Sequence, residues 1–354
     1  MLASDQFVQE IRDRGIYFLF PRPPGTPHLS ICIAEGLEEL GIPFFADNDV
    51  YAKPYDPNSA YLFRQATCQP ADAALVVADV VVGGNIDINP VLGFLRALNH
   101  RAAILCMSDP IVMYDFPIDI PSFVTHESKN VRPDGWRIPW VFGLNRDTLT
   151  KIDAAKRASN ARFPAFVRDF RPSKYQAVRQ VLDLTFVKPL SRHFQIDRRL
   201  DDGGRFVPAH YERLLSSFGC LAYGGDFFED YLQNEYYREL AIKLPKVRDE
   251  GPHVIRWDSW RLWESFAAGC ATVMLDFEEY GFRMPIIPKA GVHYVGLKFD
   301  RLAETVEFMA ADKERLLVIG EAGRAWALDH YSPKAVATRF IDEIAKAYGQ
   351  LKSN

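Results

Sequence analysis

Short apolar runs alternate along this chain with stretches in which apolar positions recur every three to four residues, the rhythm of buried strands alternating with amphipathic helices. Residues 15–20 (Gly-Ile-Tyr-Phe-Leu-Phe) read as a strand, followed by a Pro/Gly loop to Pro27, a helix over 29–40 and a second strand over 42–46. This unit is the repeat of a parallel α/β sheet. A strand over 73–82 ending at Gly83-Gly84, a helix over 90–98, and a strand over 102–107 closed by Ser108-Asp109-Pro110 continue the series. From 109 to 141 Pro, Asp and aromatic residues crowd together without a clean period, so loops and short strands are expected there.

A polar helix over 147–160 makes the crossing to a second series. There 164–170 reads as a strand, 175–184 and 210–217 as helices, and 220–223 as a strand meeting Gly224-Gly225. A strand over 292–299 and helices over 301–311, 312–329 and 333–350 close the chain. The expected fold class is α/β, with two Rossmann-like domains facing a cleft and ligands gathered beyond the carboxyl ends of the strands. The expected boundaries are 1–155 and 156–332 for the two halves, and 333–354 for a terminal helix packing back on the first. At 354 residues the chain exceeds one ordinary core, which agrees with two.

Composition narrows the class. Hydrophobic residues at 48% and charged ones at 25% fit a globular enzyme. A net charge of −4 lacks the overall basic character of a protein that grips duplex DNA by neutralising phosphates, although Arg and Lys gather between 168 and 205. The five cysteines are widely spaced and mostly sit in apolar runs, as buried thiols of a reducing compartment do, and no Cys/His cluster suggests a metal. Asp5, Glu10 and Asp13 precede the first strand and no apolar run reaches about 18 residues, so a cytoplasmic protein without integral membrane contact is expected. No complete Gly-x-Gly-x-x-Gly or P-loop pattern occurs, which argues against a dinucleotide oxidoreductase or an NTPase.

The most informative stretch is 258–276. Ser259 can cap a short helix whose free N–H groups attract a diphosphate, Glu264 lies about one and a half turns in, Gly269 ends the helix, and 271–275 reads as a core strand. Spacing alone equally fits an amphipathic helix with a solvated Glu. Asp258 is expected to cap the same helix, and Tyr223 and Phe227 could stack on a base or sugar.

Three features together resemble the GT-B glycosyltransferases, chiefly across 160–340. They are Ser259-x-Arg261-x-x-Glu264 with Ala268-Gly269-Cys270 before a strand, Arg168 and Lys174 flanking the first turn of the second half, and the terminal helix after Tyr331-Ser332-Pro333. The helix is similar to the donor-binding helix of exostosin-like and spore-maturation-type enzymes. The resemblance implies a metal-independent transferase with no cofactor, moving a sugar from a nucleotide diphosphate donor, a UDP-sugar first among them, to a hydroxyl acceptor. It implies that Glu264 accepts from the ribose hydroxyls and that Arg168 and Lys174 face the diphosphate, with Arg171 and Arg261 as competing candidates. Gly224 and Gly225, beside Tyr223, would let the donor approach closely. Eight positions before Glu264 stands Arg256, so the paired glutamates of many retaining members are absent.

For an inverting reaction the expected general base is His28, at the loop-to-helix junction after the first strand, with Asp47 and Asp49 as alternatives just past the second. The acceptor class stays open among a glycan, a small molecule and a modified DNA base, the last as in some viral enzymes of this fold. A nucleotide-sugar epimerase and a non-catalytic nucleotide-sugar-binding protein are the remaining alternatives.

Overall fold

The computed structural model describes residues 3–21, 27–54, 61–81, 88–107, 117–129, 136–156, 162–170, 176–199, 208–227 and 254–351. The chain opens with a helix, α1 (Ala3–Arg14), which the hydrophobic pattern did not suggest. It buries Phe7 and Ile11, one helical turn apart, on the core and leaves most of its remaining positions exposed.

The first half then alternates β1 (Ile16–Leu19), α2 (His28–Leu40), β2 (Phe44–Ala46), β3 (Leu75–Val81), α3 (Asn89–Ala97), β4 (Ala102–Met107), β5 (Ser122–Val124) and β6 (Arg137–Pro139). These six strands form one parallel sheet in the order β2-β1-β3-β4-β5-β6. After α4 (Arg146–Lys156) come β7 (Phe163–Val167), α5 (Ala177–Leu182), a π turn (Asp183–Val187), α6 (Lys188–Leu190), β8 (Gln195–Asp197), α7 (Pro208–Ser216), β9 (Ser217–Leu221), β10 (Asp226–Phe227), β11 (Val254–Ile255), α8 (Trp260–Ala268), β12 (Ala271–Leu275) and β13 (Val295–Leu297). The second sheet is also parallel, in the order β13-β12-β9-β7-β8, and β10-β11 is a separate antiparallel pair.

Both sheets reverse winding direction beside their first strand, between β1 and β3 and between β7 and β9. Loops leaving the two strands of such a switch point diverge and open a crevice. Residues 168–170 and 222–225 therefore border the crevice of the second half.

The chain ends in α9 (Leu302–Ala311), α10 (Lys313–Tyr331) and α11 (Pro333–Leu351). The last helix returns to the first half and packs on α1 and α2. Gly36 makes that crossing possible, because a Cβ there would lie 2.0 Å from the Pro333 carbonyl oxygen. At the far end the Tyr348 hydroxyl donates to the Ala102 carbonyl and accepts from its N–H. No helix among the described residues is long and apolar enough to cross a membrane.

Candidate functional site

The second half contributes three converging pieces at its switch point. The first is Arg168-Asp169-Phe170, directly after β7. Arg168 donates from Nε to Asp183 Oδ1 at 2.8 Å and from Nη2 to the second carboxylate oxygen, and from Nη1 to the Phe170 carbonyl oxygen at 3.0 Å. Its guanidinium also lies 4.1 Å above the Phe170 ring. The wide π turn that begins at Asp183 brings this carboxylate to Arg168. Through these bonds Arg168 braces the loop that follows β7.

The second piece is the turn after β9. Gly225 has φ 108°, and its N–H donates to Gln176 Oε1 at 3.0 Å. A Cβ on Gly224 would press on Arg179 Nη2 at 3.2 Å, so this glycine gives room to a cation beside it. Tyr223 is fully buried and stands edge-on to Phe170 at 5.6 Å. It cannot stack on a ligand, because packing behind the strand end has taken its ring. Burial pushes its hydroxyl far above the ordinary tyrosine range.

The third piece is α8. Its residues from Arg261 to Ala268 are all buried, so the solvated-carboxylate alternative does not hold. Trp263 packs on Tyr331 with ring centroids 4.7 Å apart, and Gly269 closes the helix in the left-handed region at φ 67°. Ser259 occupies the N-cap position in extended backbone, but its side chain makes no cap bond, and Oγ is buried without a partner among the described residues. Asp258 does not cap either. Its Oδ2 accepts from the Phe142 N–H at 2.9 Å and its Oδ1 from the Trp263 indole at 2.8 Å, so it ties α8 to the first half.

A closed polar network lies under α8. Arg261 Nε donates to Asp169 Oδ1, His210 on α7 stands with Nδ1 3.5 Å from Asp169 Oδ2, and His210 Nε2 lies 3.3 Å from Glu264 Oε2. Glu264 is 2% exposed, His210 1% and Arg261 3%. His210 is the one hydrogen-bond partner of Glu264 among the described residues, which leaves Oε1 unengaged. Arg261 likewise keeps Nη1 buried and without a partner among them. Sequence reasoning missed Asp169 and His210. Asp169 adjoins Arg168 and could have been read with it, whereas nothing local marks a histidine in the first turn of an ordinary helix.

The first half meets this site through His28 and through residues 125–128. The Trp260 indole donates to His28 Nδ1 at 2.7 Å, and the imidazole stacks on Phe142 at 5.4 Å. A neutral imidazole whose Nδ1 accepts carries its proton on Nε2, so in this arrangement His28 is a donor and not the expected base. Asp47 Oδ1 accepts from the Phe20 N–H and Asp49 Oδ1 from the Gln65 N–H, so both carboxylates staple loops beside the edge strand β2. Burial raises the Asp47 carboxyl above its usual range.

Thr125, His126, Glu127 and Ser128 form a buried polar run after β5. His126, at φ 62°, accepts the Asp258 N–H on Nδ1, while Glu127 pairs with Arg137 and burial raises its carboxyl. Of the other expected residues, Arg171 and Lys174 lie outside the described residues, as do Gly83-Gly84 and Asp109 at the expected strand ends.

The chain matches no protein-family model and no curated protein sequence. Among solved structures, an alpha-glucosyltransferase in complex with UDP-glucose and DNA containing an abasic site superposes with a TM-score of 0.51 at 10% identity, over 93% of this chain and 98% of that one. The fold is of the GT-B type. HepE of Anabaena in complex with UDP (TM-score 0.46, 12% identity, 94% and 99% covered) superposes more loosely. So does AviGT4, a glycosyltransferase involved in avilamycin A biosynthesis (TM-score 0.46, 13% identity, 95% and 98% covered). The assignment of fold rests on the first of the three. Within the GT-B arrangement, the N-terminus of α8 stands beside the switch point of the second half, against His28 and Phe142 of the first.

Proposed function

We propose that the protein is a glycosyltransferase that moves a hexosyl group from a UDP-sugar to a hydroxyl acceptor, with an exostosin-like or spore-maturation-type donor half. The observation that carries this reading is the unspent polarity at the start of α8. Ser259 Oγ and Arg261 Nη1 are both buried and unpartnered among the described residues, at a helix N-terminus that borders the crevice. Buried donors without partners are costly, and a helix N-terminus favours an anion, so a diphosphate is the ligand that satisfies them. The neighbour solved with UDP-glucose lends support through its fold.

In this reading the acceptor hydroxyl oxygen attacks the anomeric carbon while the bond from that carbon to the diphosphate oxygen breaks, and the hydroxyl proton passes to solvent. Negative charge grows on the leaving diphosphate and is met by the α8 N–H groups, Ser259 and Arg261. Glu264 Oε1 accepts from the ribose hydroxyls, and Arg168 works indirectly by fixing the loop that carries Asp169.

Titration of the full chain with UDP-glucose tests this. Wild-type protein is expected to bind, and Glu264→Ala to lose about 3 kcal/mol, or about a hundredfold in affinity, with its circular dichroism unchanged. Equal affinity in a folded Glu264→Ala variant would remove the assignment.

A further inference from the structure

The residues on either side of Ser259, where the chain enters α8, are all held by the first half. The Trp257 indole donates to the Glu127 carbonyl oxygen at 3.2 Å. The Asp258 N–H donates to His126 Nδ1 at 3.0 Å, and the Asp258 carboxylate accepts the Phe142 N–H at 2.9 Å. The Trp260 indole donates to His28 Nδ1 at 2.7 Å. Between them Ser259 Oγ is buried and without a partner among the described residues.

The strap that supplies two of these anchors is itself fixed. The Lys129 N–H donates to the Gly281 carbonyl oxygen at 2.7 Å and the Arg283 N–H to that of Glu127 at 2.8 Å, so an antiparallel bridge centred on Ser128 and Phe282 seats the strap on the second half. The Glu127 carbonyl oxygen has two lone pairs and accepts from both the Arg283 N–H and the Trp257 indole.

His126 stands at φ 62°, in the left-handed region that a residue other than glycine enters only at a cost. Such a conformation persists where the surroundings over-determine it. Phe142 and Trp257 meet its imidazole edge-on, with ring centroids 6.1 and 6.2 Å away, and hold Nδ1 toward the Asp258 N–H.

A helix N-terminus holds an anion through N–H groups whose direction is set by the few residues leading into it. In this chain those residues take their position from the opposite half of the molecule. We propose that His126 is a positioning residue which, with Trp260 and His28, sets the entry of α8, so that the diphosphate site carried by the second half is held in shape by the first. The proposal rests on the donor-site reading above and adds that the site requires both halves.

Titration of the full chain with UDP-glucose, at a temperature where circular dichroism shows each variant folded, tests this. His126→Gly accommodates the positive φ but has no acceptor for the Asp258 N–H, and it is expected to bind about tenfold more weakly than wild type. His126→Asn carries an oxygen as many bonds from Cα as Nδ1 and also accommodates that φ, so it is expected to recover most of the affinity. A loss of stability alone does not produce this pattern, because both variants are folded when binding is read. If His126→Gly does not fold, Trp260→Phe, which keeps a ring against Phe142 but loses the N–H that His28 accepts, is expected to show the same loss.

Wild-type affinity in a folded His126→Gly variant, or in Trp260→Phe in its place, overturns the proposal and leaves the donor-site reading intact. A His126→Asn variant as weak as His126→Gly also overturns it, because the acceptor on Nδ1 is then not what sets the site. Absence of UDP-glucose binding by the wild-type chain removes the donor-site reading and this proposal with it.

Discussion

Asp79, a buried carboxylate on β3, shows at the scale of one residue how this chain meets a polar requirement. Helix α2 starts after Pro27, which offers no side-chain cap, and Asp79 reaches across to its first turn to accept from the Ser30 hydroxyl and backbone. Burial nevertheless pushes its carboxyl up to about 6. The unfolded value is about 3.9, so between about pH 4 and pH 6 the folded chain holds more protons, and this group's contribution to stability falls as pH rises through that window. Asp79→Asn is therefore expected to raise the unfolding free energy at pH 8 by up to about 3 kcal/mol, with no gain at about pH 4. Urea denaturation at the two pH values checks this, and an equal change at both would show that desolvation is not the cause.

At the scale of elements, the decisive contact is between α2 and the returning helix α11. Helices approach so closely only where a side chain is missing, and the carbonyl of Pro333 and the Cβ of Ala337 occupy the space a Cβ on Gly36 would need. Gly36→Ala should cost about 1–3 kcal/mol by overpacking, despite alanine's better helix propensity. Gly93, exposed in α3, has nothing within 4 Å of such a Cβ, so Gly93→Ala should stabilise by about 0.5–1 kcal/mol. Thermal midpoints moving in opposite directions would confirm that packing, and not helix propensity, governs the first site.

At the scale of the molecule the two sheets share one apolar core. A single buried cluster runs from Phe7 and Ile11 on α1 through Phe123, Phe166, Trp263 and Leu275 to Ala345 on α11. Polar contacts join the halves as well, through Asp258 to the Phe142 N–H and the Trp257 indole to the Glu127 carbonyl. Two GT-B halves are free to unfold separately only where little is buried between them. Scanning calorimetry of the full chain is expected to give one endotherm with matching calorimetric and van't Hoff enthalpies, and two separated transitions would contradict a shared core.

Much of the scaffold is legible in the order of residues. Alternating periods mark the two strand-and-helix series, Gly269 marks the end of α8, and the apolar run 271–275 marks a core strand, because periodicity and capping act over a few neighbouring residues. The motif around Glu264 is legible in the same way. Roles that depend on distant partners are not. Ser259 left uncapped, Tyr223 turned inward, His28 accepting from Trp260, and the π turn that hands Asp183 to Arg168 all follow from contacts between separate elements. The bond from His210 to Glu264 spans 54 positions, and parallel crossover winding, which no local pattern encodes, is what brings α7 beside α8. Local pattern therefore dictates which segments become strands and helices and where they stop. Which buried charges face one another is settled later, by packing across the sheet, because that choice joins residues too far apart in the chain for any local period to couple.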